Sequence, residues 1–532
     1  MKTRQRLWPV LILVATALAA CSPGGGGGTG GASKPLHIVA AEPTTGLDPG
    51  SAATQASRRA MELMYDQLID YNSKDEIVPA VAKSWEVSGD GLTYTFHLQP
   101  NAKFSDGSAI TATDVQFSVQ RMATSAVLKP AFTEMRSVDV VDPQTVKITL
   151  SKSSRPFLNA LATAGIAAIL SQKAVQGNAN YFRKPTATSG AWSLKEWIPK
   201  DHLTLVANTH YWNTGYPKIP TINYTFQEDP TSAAAALESG TADMYYPMAP
   251  TDAIRLKDAG KITFFAPNEP GVLVWGFDRT KPPFNDVKVR QALAYMAPRE
   301  DRWKNCWLST GGLSYGAIIL EGSWAYTPGI EKYKVSKDEA LSKADALMKA
   351  AGWIMGSAGV RVSKGVPGMR DGTLFKVTVP FENNWDQSRC HTTLLKNDLQ
   401  PLGVDVTPQA YDAATYYSDV GKNKFQMFHA GNGYANVDDM MQQTFTTTGI
   451  VNALLCKVTD TKLDTLVTQA RATQDRNQAK TYYAQMQTLI QEDVPCINSG
   501  SQASITATGL NVHGYAGRTD NSNRSLIFAT VS

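Results

Sequence analysis

Strand-like and helix-like stretches take turns along almost the whole of this 532-residue chain, and no internal repeat orders them. Residues 36–40 alternate as a short strand, and residues 52–65 place Ala56, Ala60, Leu63 and Met64 at helical spacing. Residues 81–98 read as a hairpin turning at Gly89-Asp90-Gly91, and 111–121 as a helix capped by Thr111 or Thr113. A second hairpin spans 138–150, broken at Asp142-Pro143. Strand-like runs follow at 203–206 and 221–226, before a helix at 231–238. From Asp286 to about Pro495 the pattern predicts helices at 287–296, 337–351, 391–399 and 462–492. Strands are predicted there at 375–379, 404–406 and 425–428. Such a mixture excludes a helical bundle or a β-sandwich and predicts α/β domains with clefts between them.

The chain opens differently. Lys2, Arg4 and Arg6 precede an apolar run over 7–17, then Leu18-Ala19-Ala20-Cys21, then Ser-Pro and glycines 24–28. A basic start, a short apolar core and small residues describe a secretory signal. The run is shorter than the roughly 20 apolar residues a membrane span needs. A cysteine directly after Leu-Ala-Ala resembles the lipobox of bacterial lipoproteins. That resemblance implies cleavage after residue 20, acylation of Cys21, and a glycine-rich tether over 21–34. A flexible tether of that length reaches on the order of 20 Å. The protein is expected to work outside the cytoplasmic membrane, in a periplasm or at the cell surface, which excludes cytosolic enzymes.

The remaining 500 or so residues, with 43% hydrophobic and 18% charged content, suffice for two or three domains with ample core. Of the net charge of +4, three charges (Lys2, Arg4, Arg6) leave with the signal. No basic run suggests nucleic acid and no acidic run suggests a tail. Cys306, Cys390, Cys456 and Cys496 lie outside any CxxC spacing, so no zinc site is expected. An exported chain can oxidise them, and sequence leaves all three complete pairings and the free thiols open.

A series of short motifs adds a family resemblance. Tyr65-Asp66-Gln67-Leu68-Ile69, Val78-Pro79-Ala80-Val81-Ala82, Ser84-Trp85 and Gly91-Leu92-Thr93-Tyr94-Thr95-Phe96 come first. Phe104-Ser105-Asp106-Gly107, Thr111-Ala112-Thr113-Asp114-Val115, Ser189-Gly190 and Tyr211-Trp212 follow. Ala236-Leu237-Glu238-Ser239-Gly240, Asp286-Val287-Lys288-Val289-Arg290-Gln291-Ala292-Leu293 and Ala351-Gly352-Trp353 complete the set. In this order they resemble family 5 of the extracellular solute-binding proteins, the peptide, dipeptide, nickel and oligosaccharide receptors of ABC importers. The resemblance implies an α/β fold of the type II periplasmic-binding-protein kind, in the cluster C architecture: two hinged lobes with an additional inserted domain. Domain I would comprise 35–75, 190–280 and 498–532, domain II 76–189, and domain III 281–497. It implies a monomer that needs no cofactor, captures a small solute and delivers it to a permease and its ATPase. Short peptides are the leading ligand class. An oligosaccharide is the alternative, and an adhesion or signalling protein on the same fold is a third reading.

In peptide receptors of this family, an aspartate just before a tyrosine in domain III pairs with the peptide's amino group. Here that position holds Gly433, before Tyr434. Tyr434 is itself a candidate, and Asn436, Asp438 and Asp439 follow on the same loop as further ones, although Asp438 also reads as a cap for a helix through Met440-Met441-Gln442. Sugar-binding members lay aromatic rings on pyranose faces, which makes Trp385, Trp275 and Trp307 candidates, with Trp303 and Trp324 behind them. His429 stands alone near the loop, so no metal is expected. Gly312-Leu313-Ser314-Tyr315-Gly316 fits the GxSxG nucleophile pattern, but no helical pattern follows it. The chain is read as a receptor with no catalytic residue.

Overall fold

Leu36–Ala40 is the hub of a seven-stranded mixed sheet. It pairs in parallel with Thr221–Phe226 on one side and with Met244–Met248 on the other. His202–Ala207 and Trp192–Ile198 extend one edge, and Ile505–Gly509 and Ile262–Phe265 the other, all antiparallel. The alternation explains its central place. Leu36, Ile38 and Ala40 face the helix Gln55–Met64 through Ala60, Met61 and Met64. Val39 faces the helices Pro230–Glu238 and Pro250–Asp258 through Ala233, Leu237 and Leu256. The structure is a computed structural model that describes residues 33–532 except 52, 53, 73–75, 126, 127, 269, 384 and 435. The leader, Cys21 and the tether up to residue 32 lie outside the described residues.

An inserted unit carries a four-stranded antiparallel sheet, Ala82–Val87, Thr93–Leu98, Thr145–Leu150 and Met135–Asp142 in spatial order. The helix Ala112–Thr124 covers it, and the Asp114 carboxylate accepts the Thr111 backbone N–H at 3.0 Å, closing the first turn. Leu68 and Ile69 belong to the core of this insert, whereas Ala168 and Leu170 belong to the core of the large sheet. The insert and the first lobe therefore share apolar packing.

The second lobe is built around Gly271–Phe277, the middle strand between Met427–Gly433 and Cys496–Gly500. A parallel pair, Lys376–Glu382 and Asp405–Tyr411, lies beyond. The chain changes sheet at 266–270 and returns at 501–504. These points differ from the expected borders at 280 and 498. Every residue of Gly271–Phe277 is buried, so no alternation marks which sheet it joins. The expected helix at 462–492 is two helices, Thr461–Ala472 and Arg476–Asp493, because Thr473 is extended and Asp475 caps the second by accepting Asn477 N–H at 2.8 Å.

Two disulfides, Cys306–Cys390 and Cys456–Cys496, select one of the three complete pairings. They close loops of sequence separation 84 and 40, each of which restricts the unfolded chain by about 4 kcal/mol in the chain-entropy account. Replacing Cys456 and Cys496 together by serine is expected to lower the free energy of unfolding by about that amount, read as the shift of the urea midpoint against the unsubstituted protein.

Candidate functional site

The first lobe, the insert and the second lobe converge on a divided cleft. One part, of about 330 Å³, is walled by Gly271, Trp324, Val437, Met440 and Arg476 among others. The other, of about 340 Å³, is walled by Arg58, Arg59, Glu62, Gly433 and Tyr434 among others. Tyr71, Asn159, Asn436 and Asp520 line both parts and make the cleft continuous.

The loop before the helix Val437–Phe445 forms the second-lobe wall. Asn436, not Asp438, caps this helix: its side-chain oxygen accepts Asp439 N–H at 2.9 Å. Its amide donates to the Asp439 carboxylate at 2.9 Å, which fixes the Asn436 side chain. Burial pushes the Asp439 carboxyl up, against the opposing charge of Arg471 at 3.5 Å. Asp438 turns away from the cleft and is fully buried. Arg155 donates to both its oxygens, Asn159 to one at 3.2 Å, and the Tyr483 hydroxyl to the other. The carboxylate is saturated within the protein and has no free oxygen for a solute.

Those contacts join the insert to the second lobe. Around them, Arg155 N–H donates to the Arg471 carbonyl at 2.8 Å and the Ser153 hydroxyl to the Ala472 carbonyl at 2.8 Å. This seam is polar, unlike the apolar packing between the insert and the first lobe. Arg155 also lies 4.6 Å from the centre of the Trp324 ring, and Arg476 lies 5.4 Å from it. Asp438 neutralises Arg155. Arg476 is exposed in the cleft and has no carboxylate within 4 Å among the described residues.

The expected aromatic residues fall elsewhere. Trp275, Trp307 and Trp385 line neither part of the cleft and gather in the second lobe around His391 and His429. His429 is therefore not alone. Trp307 Nε1–H donates to His391 Nε2 at 2.9 Å, which places the single ring proton of His391 on Nδ1, 2.7 Å from His429 Nε2. Burial drives both imidazoles below their ordinary range, His429 to about 3, with the Arg302 charge adding to the effect. No group of three His, Cys, Asp or Glu side chains suited to a metal occurs among the described residues. Ser314 is buried, accepts Gly316 N–H at 3.1 Å and donates to the Ala317 carbonyl.

Sequence reasoning found Tyr434, Asn436 and Trp324 in the wall and missed Arg59, Asn159, Arg476 and Asp520. Asn159 and Asp520 lie in segments far apart in the chain, and only the packing of the insert and the C-terminal loop brings them together. Glu62 was also missed. Burial pushes its carboxyl up to about 8, although Asn523 N–H donates to it and Arg59 is near.

Two lobes joined by two crossings, with a cleft walled by both, define a solute receptor. The family model for bacterial extracellular solute-binding proteins, family 5 Middle, matches residues 76–452, and the chain belongs to that family. It is the extracytoplasmic substrate-binding component of an ABC importer, and its relatives are solute-binding proteins, not enzymes. It is 26% identical to a glutathione-binding protein of Pectobacterium atrosepticum, over 96% of each chain. It is 25% identical to a periplasmic murein peptide-binding protein of Escherichia coli, over 72% of each. NikA from Brucella suis in complex with Fe(III)-EDTA superposes with a TM-score of 0.81 at 20% identity, over 94% of this chain and all of that one. Among the described residues no helix is long and apolar enough to cross a membrane.

Two predictions follow from the buried charges. Asp438→Asn leaves Arg155 sealed without a counter-charge, so it is expected to cost about 3–5 kcal/mol, measured by urea unfolding at pH 7. The histidines act on pH dependence. Their folded pKa values lie below the unfolded value of about 6.5, so the unfolded chain takes up protons first and stability falls as pH drops. His429 alone is expected to contribute about 2 kcal/mol of loss between pH 7 and pH 5. The slope of unfolding free energy against pH should flatten correspondingly in His429→Gln.

Proposed function

We propose that the cleft takes up short peptides and that the protein delivers them to a membrane permease and its ATPase. The observation that carries this reading is the pair of opposite charges in one cleft. Arg476 lacks a carboxylate partner, and Asp520, where the two parts meet, keeps one oxygen without a hydrogen-bond partner. Asp520 is also paired with Arg518 at 3.4 Å through its other oxygen. A peptide therefore brings an ammonium to the free oxygen and carbonyl or carboxylate oxygens to Arg476, whereas a neutral sugar leaves Arg476 without a counter-charge. The glutathione- and murein-peptide-binding relatives point the same way.

In this reading Tyr434 and Asn436 touch the ligand, Asp439 positions Asn436, and Asp438 holds the insert against the second lobe. Asp520 on the first lobe takes the amino group that the family's domain III aspartate would take, since Gly433 stands in its place. Trp324 serves as the aromatic platform, and Trp275, Trp307 and Trp385 support the wall from behind. The aromatic rings of Tyr71, Trp324 and Tyr434 are what favours an oligosaccharide as the second reading. The protein works as a monomer, without cofactor or metal, anchored through lipid on Cys21. Labelled palmitate should enter the unsubstituted protein in its host and not Cys21→Ser.

The deciding experiment is thermal melting of residues 22–532 against di- to octapeptides and against gluco-, xylo- and chito-oligosaccharides. A peptide at a hundred times its dissociation constant is expected to add about 2.7 kcal/mol. N-acetylation should weaken binding about tenfold or more, the loss of a charge-assisted contact. A rise with oligosaccharides alone would overturn the peptide reading.

A further inference from the structure

Arg59 is the unusual cation of the cleft. It leaves the helix Gln55–Met64 in the first lobe, is 2% exposed, and lines the part of about 340 Å³ beside Tyr434. Its guanidinium donates to Thr506 Oγ1 at 3.3 Å, Ser504 Oγ at 3.4 Å and Asn521 Oδ1, all neutral oxygens. It lies 3.9 Å from the centre of the Tyr246 ring. Its Nε–H has no partner, and no carboxylate lies within 4 Å among the described residues.

The neighbouring buried arginines are different. Arg155 has Asp438, Arg518 has Asp70 at 2.9 Å, and Arg524 has Asp66 at 2.6 Å and Asp70 at 3.1 Å. A guanidinium sealed without a counter-charge is costly. Glu62, one turn along the helix, does not cancel it at neutral pH: it is 3% exposed, and burial pushes its carboxyl up to about 8 in spite of the Asn523 N–H and the Arg59 charge. Asn521, at the left-handed φ of 56°, holds an amide nitrogen without a partner on the same wall. Arg58 stands exposed beside them, with no ion pair among the described residues.

We propose that this end of the cleft is a carboxylate pocket, anchored by Arg59, with the Asn521 amide as a second donor and Arg58 as the cation at its mouth. The ligand class is a solute that carries a free carboxylate, and for a peptide this is the terminal carboxylate or an acidic side chain. The inference rests on the cleft being the solute site. It adds a fixed anion end on the first lobe, opposite the second-lobe wall of Gly433 and Tyr434.

The test is calorimetric titration of residues 22–532 with three probes: trialanine, trialanine amide and glutarate. The unsubstituted protein is expected to bind the free acid about tenfold or more tightly than the amide, as a charge-assisted contact to a buried guanidinium requires. Arg59→Met should remove that preference, and the exposed Arg58→Gln should reduce it without affecting folding. Equal binding of acid and amide, or equal losses for both in the variants, would overturn the carboxylate pocket and leave peptide binding intact. Glutarate binding that depends on Arg59 and Arg58, with neither peptide bound, would sustain the pocket and overturn the peptide reading. No binding of any of the three would overturn both.

A pH arm adds a readout that a purely structural role would not move. Glu62 faces Arg59, Asp520, Arg524 and the phenols of Tyr224, Tyr246 and Tyr515. As it ionises above about pH 8 it supplies Arg59 with a counter-charge and competes with the ligand. Affinity for the free acid should fall there in the unsubstituted protein and hold in Glu62→Gln. A parallel fall in both would count against Arg59 as the anchor.

Discussion

The shape of the cleft depends on the four hydrogen bonds that saturate Asp438 where the insert meets the second lobe. Two of the donor residues, Arg155 and Asn159, also line the cleft, and Asn436, two residues before Asp438, lines its opposite wall. One buried carboxylate thus fixes groups on both sides of the binding space. Its burial is sustainable only because every lone pair is engaged and a guanidinium cancels the charge.

The two faces of the insert are chemically unlike. Toward the first lobe it exchanges core residues, Leu68 and Ile69 one way and Ala168 and Leu170 the other. Toward the second lobe it offers hydrogen bonds and an ion pair. Interdigitated apolar side chains resist sliding, because any gap forfeits contacts. A polar seam can part and be rehydrated. The insert is therefore mechanically part of the first lobe, and a change in the width of the cleft is carried by the polar seam and by the crossings at 266–270 and 501–504.

Much of the fold was legible in the chain. The strand at 36–40, both hairpins of the insert and the helix at 287–296 were readable because each buries one face and shows its period. Gly271–Phe277 and Cys496–Gly500, which anchor the second lobe, were not, because both faces are buried and the period disappears. The site was less legible still. Asp438 and Asp439 drew attention as acidic residues on a variable loop, yet one is a structural ion pair and the other positions a cap. Arg59 sits in a helix with an ordinary amphipathic pattern, and nothing in its neighbourhood in sequence tells that its partners come from residues 504–521. The place of the tryptophans was illegible for the opposite reason: a large aromatic side chain satisfies a core as readily as a cleft, and Trp275 and Trp307 lie in the core.

The two ends of the described chain are bonded to each other. Lys34 N–H donates to the Val531 carbonyl at 3.1 Å, and Val531 N–H to Ser33 Oγ at 2.9 Å. Both ends therefore sit in the first lobe, and the second lobe is joined to it in the chain only through the two crossings, with the polar seam to the insert beside them. A pull on either end loads only the first lobe. The second lobe is free of that load, so the protein can be held in place without the hold biasing how wide the cleft stands.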